Sequence, residues 1–163
     1  MMFLYHGSNQ AVTSPRLIEQ TRGLDFGAGF YLTSSEKQAV QFSEIVKNRQ
    51  KSGTPTVTVY EFDIKKAESI LSVLRFESAN DMWLRFVADN RLKIYDGHLY
   101  DIVIGAVAND KVMPTIQAYL GGFLSEEATI MTLKTSKLSD QFCLKSAKAL
   151  SMLKFVNSYG IKE

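Results

Sequence analysis

Three short stretches bring together side chains that can bind or do chemistry. The first is Tyr5-His6-Gly7-Ser8, in "FLYHGSNQAV". A histidine at a strand end offers a ring nitrogen to a hydroxyl or a carbonyl. The glycine after it lets a ligand approach the peptide N–H and C=O with no Cβ in the way. The second is "GLDFGAGFYLTSSEKQAVQF", with glycines at 23, 27 and 29 followed by Tyr31 and Phe42. Two aromatic rings arriving from a strand and from the next helix can hold a flat ring between them. The third is "LSDQFCL", where Gln141 can direct an amide into a cleft. Each stretch also has a plain reading: a core histidine beside a turn glycine, two core aromatics, and a glutamine facing solvent.

Several other chemistries find no support. Only His6, His98 and Cys143 are available as nitrogen or sulfur metal ligands, and no HxxxH or CxxC spacing occurs, so no metal site is expected. The glycine stretch lacks the Lys-Ser/Thr pair of a phosphate-binding loop and is not GxGxxG. No G-x-S-x-G occurs, and Cys143 sits inside an apolar run where core packing accounts for it.

The elements that must position these residues follow from pattern. Phe3 to His6 reads as a short strand and "FYLT" as a second. Ser35 and Gln38 have capping-box spacing and open a helix over 36–51. Ala39, Phe42, Ile45 and Val46 recur along it as a buried face. "TVTVYEFDI" is a strand, Asn80 caps a helix over 81–91, and "YDIVIGAVA" is another strand. A short helix is expected over 114–119, ending at Gly121-Gly122. A helix capped by Ser125, a strand "DQFCL", a short helix in "SAKALSMLKF" and a last strand complete the chain. Strands interrupted by helices without a β-α-β rhythm predict an α+β fold in one domain spanning 1–163.

The composition suits that reading. The 163 residues are 45% hydrophobic, 11% aromatic and 22% charged, which is ordinary for a globular domain. Nineteen basic against seventeen acidic residues leave a net +2, too weak a bias to argue for nucleic acid. A lone cysteine precludes an internal disulfide and favours a reducing compartment. No apolar run reaches membrane-spanning length and no signal-peptide pattern opens the chain, so a cytoplasmic protein with no membrane partner is expected.

Taken in order, His-Gly-Ser on a first strand, Gly-x-Gly-Phe-Tyr-Leu-Thr leading into a helix, and a polar residue on a late strand resemble the ADP-ribosyltransferase superfamily. The resemblance is to its diphtheria-toxin and poly(ADP-ribose) polymerase branch, whose signature is His, Tyr and Glu. "LYHGS", "LDFGAGFYLT" and "YDIVIGAVANDKV" are similar more narrowly to the bacterial family DUF3990, which is grouped with these transferases and often occurs beside a small partner gene in toxin–antitoxin style. The resemblance implies a split antiparallel sheet core with flanking helices, NAD as substrate and no metal. It implies that His6 bonds the hydroxyl of the nicotinamide ribose and that Gly7 grips the nicotinamide carboxamide. Ser8 would help hold the adenosine half, Tyr31 would stack on nicotinamide, and Phe42 would be a second stacking aromatic. Arg16 and Arg22 are candidates for the pyrophosphate. Two departures stand out. Ala39 occupies the place of a serine that donates to the carboxamide. Gln141 replaces the glutamate of the polymerising members, and a neutral amide bonds ribose hydroxyls but cannot act as a general base.

The expected function is therefore mono-ADP-ribosyl transfer from NAD to a protein or nucleic-acid acceptor, with NAD hydrolysis as the other outcome of the same bond cleavage. A toxin-type role with a small antitoxin partner is the implied setting. The alternatives are an NAD-dependent RNA 2′-phosphotransferase, an inactive NAD- or ADP-ribose-binding module, and a structural protein that binds no NAD.

Overall fold

The computed structural model describes residues 1–19, 23–109 and 111–162. Seven strands and six helices lie among them. In chain order they are β1 (Met2–Ser8), β2 (Phe30–Leu32), α1 (Glu36–Gln50), β3 (Thr56–Phe62), α2 (Ile64–Ile70), β4 (Val73–Arg75), α3 (Asp81–Arg91), β5 (Ile102–Ala106), α4 (Met113–Leu120), α5 (Glu126–Leu133), β6 (Asp140–Leu144), α6 (Ala147–Leu150) and β7 (Lys154–Gly160). The α+β class holds. The strands form two sheets, ordered β1-β3-β7 and β2-β6-β5-β4. One pair departs from the expected antiparallel core: β4 runs parallel to β5. The crossover of α3 between them makes that direction possible.

Strand alternation sorts the side chains into layers. Between the sheets lies one core, with Leu4, Tyr60 and Phe62 from the first facing Phe30, Leu32, Ile102, Ile104, Phe142 and Leu144 from the second. The other face of the second sheet presents Val103 and Cys143 to Phe26, Trp83, Leu84, Val87, Ile116 and Leu133. The outer face of the first sheet buries Val57 and Val59 against Ala39 of α1. Each large side chain buried this way contributes about 2 kcal/mol. Trp83 is fully buried, and its indole N–H donates to the Ala106 carbonyl at 3.0 Å, so no polar atom is orphaned with it.

The caps expected at Ser35, Asn80 and Ser125 all form, each side-chain oxygen accepting the peptide N–H three residues on. Two elements have no counterpart in the sequence reading. Asp63 ends the β3 run by capping α2, whose seven residues are too few to show a periodic face. β4 is only three residues long.

The buried face of α1 also differs. Ala39 and Ser43 are buried, whereas Phe42 and Ile45 are 38% and 36% exposed. The cause is a close helix–strand approach. A Cβ placed on Gly7 would lie 2.1 Å from the Ala39 carbonyl oxygen and 2.8 Å from the Ser43 nitrogen. Only small residues four apart fit against that glycine, so the larger apolar side chains are turned to the flank.

Candidate functional site

The geometry of interest is where β1 parts from β2. A single bridge joins them: the Tyr5 N–H donates to the Thr33 carbonyl at 2.8 Å, and the Thr33 N–H donates back at 3.0 Å. Continued antiparallel pairing would set Gly7 opposite Tyr31. It does not continue. The Tyr31 carbonyl accepts from His6 Nδ1 at 2.7 Å instead, and the strands diverge.

That divergence leaves backbone groups unpaired. β1 is an edge strand whose register with β3 is regular from Met2 to Ser8. Because Tyr5 bonds toward β2, Gly7, two residues on, also turns its N–H and C=O away from β3. Among the described residues neither group has a bonding partner outside the strand. Gly7 is nevertheless buried. An unpaired peptide donor and acceptor side by side are complementary to an amide.

His6 lies at the same break in pairing. Its ring stacks on Phe30, centroids 4.2 Å apart and planes 24° apart. Burial holds its pKa below the usual imidazole value, with the Tyr31 carbonyl acting in the opposite sense. The ring is therefore neutral, and a carbonyl partner assigns the proton to Nδ1. Nε2 is left as an acceptor. It has no partner among the described residues, and none of their fully enclosed side-chain nitrogens or oxygens lacks one, so Nε2 is not completely shut off.

Tyr31 lies on β2 with its ring on the opposite face from Phe30 and Leu32. Its hydroxyl donates to the Gly27 carbonyl at 2.5 Å and accepts from the Phe26 N–H at 3.1 Å. Burial, with Cys143 and Asp25 close by, raises its pKa well above the ordinary phenol value. Tyr31 thus ties the glycine stretch to β2, and the two rings of the sequence signature do not face each other directly. His6 packs toward the inter-sheet core, and Tyr31 toward the helices.

Gln141 shares the face of Tyr31, two residues from Cys143, the cross-strand partner of Tyr31. It is buried, not solvent-facing. Its Nε2 donates to Asp25 Oδ2 at 3.0 Å and to the Ala106 carbonyl at 3.3 Å. Asp25 is also buried. Its Oδ1 accepts from Arg91 Nε at 2.6 Å and pairs with Arg91 Nη2 at 2.5 Å, and its Oδ2 also accepts from the Ala108 N–H at 3.3 Å. Lys145 donates its ammonium to the Phe26 and Ala28 carbonyls at 2.5 and 2.7 Å, with its pKa lowered by burial. The turn from Asp25 to Ala28 is thereby pinned from several elements. Cys143 beneath it is a buried thiol whose pKa burial pushes up to about 11, which leaves it unreactive.

The remaining candidates are dispersed. Ser8 Oγ contacts Asn9 Oδ1 at 3.3 Å. Arg16 is exposed in the irregular segment after β1, and Arg22 lies outside the described residues. Phe42 is on α1 between Ala39 and Ser43, and its ring is 38% exposed. Two cavities, about 650 and 220 Å³, lie elsewhere. The larger is lined by Arg75, Phe76, Asn80, Lys134 and Asp140 and the smaller by Gly23, Ala28, Asn90 and Tyr95. Neither is lined by His6, Gly7, Tyr31 or Phe42. No cluster of three or more His, Cys, Asp or Glu side chains arranged for a metal occurs among the described residues. No described helix is long and apolar enough to cross a membrane.

Phe30, Asp25 and Arg91 are the participants the sequence reading missed. Phe30 adjoins Tyr31 in "GFYLT", and alternation alone gives the pair opposite faces. Asp25 stands between apolar neighbours in "LDFG", an unusual place for a carboxylate without a partner.

Residues 2–155 match the model of the family described as "Protein of unknown function (DUF3990)". The chain belongs to that family. No curated protein and no solved structure matches it.

Proposed function

We propose that this protein is an NAD-dependent mono-ADP-ribosyltransferase whose nicotinamide site lies where β1 and β2 cease to pair. The observation that carries the reading is the unpaired N–H and C=O of Gly7 beside the unpartnered Nε2 of His6. A carboxamide supplies the complementary donor and acceptor to the glycine, and a ribose hydroxyl supplies the donor to Nε2. Phe42, exposed on the helix that packs against the same glycine, is the aromatic proposed to cover a flat ring.

In the reaction, the bond between the ribose C1′ and the pyridinium nitrogen breaks, and its electron pair leaves on neutral nicotinamide. Positive charge develops on the ribose as an oxocarbenium-like centre. An acceptor nucleophile then donates a pair to C1′ and releases its proton. The site contributes by fixing the leaving group and the ribose, so rate comes from positioning and oriented dipoles. Gln141 has no proton-accepting carboxylate, which favours a single transfer over chain elongation. The acceptor is a protein or a nucleic acid, and a toxin-type role with a small protein partner is part of the proposal.

The test is release of nicotinamide from NAD by the purified protein. His6→Ala is expected to lower turnover about a hundredfold, the loss of a positioning contact in the transition state. Turnover unchanged by His6→Ala rejects the assignment. Turnover that requires a 2′-phosphorylated RNA supports the phosphotransferase instead, and NAD binding without turnover supports a binding module.

A further inference from the structure

The Asp25–Gln141 contact does more than fill a buried space. We propose that Asp25 is a positioning residue: its carboxylate holds the Gln141 amide nitrogen and so leaves the side-chain oxygen as the free acceptor offered to the substrate ribose. This rests on the transferase reading for the identity of the substrate, but the geometry stands apart from it.

Both hydrogens of Gln141 Nε2 are spoken for, one by Asp25 Oδ2 and one by the Ala106 carbonyl. A carboxylate and a carbonyl only accept, so the amide cannot be reversed without placing oxygen against oxygen. Oε1 has no partner among the described residues. Because none of their fully enclosed polar side-chain atoms is unpartnered, it is not completely shut off, although Gln141 is only 7% exposed. A buried glutamine with its nitrogen fully bonded and its oxygen open is an oriented dipole. Its negative end is the one free pole of a fixed amide on the Tyr31 face of β6, and such a pole stabilises a positive charge that develops against it. Asp25 is itself held by two bonds from Arg91 and one from the Ala108 N–H, so it cannot swing away.

The same geometry explains why residue 141 is not a glutamate here. A carboxylate at 141 would meet the Asp25 carboxylate across about a hydrogen bond's length with no proton between them. The surrounding groups would not relieve it fully. Arg91 from α3 faces the other oxygen of Asp25. Lys145 is engaged with the Phe26 and Ala28 carbonyls. Tyr31 and Cys143 are buried in their uncharged forms.

Two variants test the proposal. In Gln141→Glu, the introduced carboxyl, followed by its ¹³C shift, is expected to titrate at least one unit above the ordinary value of about 4.3. Adding Asp25→Asn to it should lower that titration by removing the facing charge, leaving only the part due to burial. In the otherwise native chain, Asp25→Asn should move the Gln141 side-chain NH₂ signals and lower kcat for nicotinamide release about tenfold, the loss of one oriented hydrogen bond. KM for NAD should stay nearly constant. An introduced carboxyl that titrates normally beside Asp25 overturns the proposal, and so do unmoved NH₂ signals with unchanged kcat. If the native protein releases no nicotinamide, the transferase reading fails, while the titration of Gln141→Glu still decides whether Asp25 holds position 141.

Discussion

His6 carries its consequences in one ring. Nδ1 is committed to the Tyr31 carbonyl, one face is committed to Phe30, and Nε2 is left open. The folded protein holds this imidazole neutral, with a pKa below that of the unfolded chain. As pH falls through about 6.5, the unfolded state takes up a proton that the folded state resists. The stability that His6 protects is therefore present above that pH and lost as pH falls toward the folded pKa. Thermal melts from pH 7.5 to 5.5 should show a declining midpoint, with a shallower decline in His6→Gln. Equal slopes for the two proteins would contradict the buried neutral ring. At this scale the sequence was partly legible. The order His-Gly-Ser is local, and so is its chemistry. The Asp25–Gln141 bond joins residues far apart in the chain, and no spacing rule reveals it.

Between elements, the controlling contact is α1 against β1. Gly7 is a glycine for two independent reasons: its outer edge carries the unpaired peptide groups, and its Cα faces the backbone of α1. Gly7→Ala drives a methyl into the Ala39 carbonyl, 2.1 Å away, so either the helix or the strand must move. The expected loss is about 1–3 kcal/mol in urea unfolding, with reduced NAD binding in the fraction that stays folded. A stability change below about 0.5 kcal/mol would mean that the helix gives way freely. The sequence showed α1 and its cap but misjudged its buried face. Apolar periodicity favours Phe42 and Ile45, whereas a glycine on the opposing strand selects small residues. The same limit hid α2 and β4, which are too short to have a period at all.

Across the whole molecule, the second sheet lies between two cores, and the Asp25–Ala28 turn reaches its helical side. Arg91 of α3 holds that turn through Asp25, an ion pair with a carboxylate that is 5% exposed. Arg91→Met leaves that charge without its partner, at an expected loss of about 3–5 kcal/mol. Asp25→Asn added to Arg91→Met should recover much of it. Urea unfolding of both variants checks this, and a second substitution that recovers nothing would mean that packing, not charge, governs the turn. The α+β class was legible from the interruption of strands by helices. The parallel β4–β5 pair was not, because direction is set by a tertiary crossover.

The central claim is that the edge of β1 receives the amide of a pyridinium dinucleotide. Titration of ¹⁵N-labelled protein with NAD tests it most directly. The Gly7 N–H is predicted to move downfield and the His6 Nε2 signal to shift in step, as both gain partners. Saturation by NAD with the Gly7 and His6 signals unmoved, or no response anywhere in the spectrum, would contradict it.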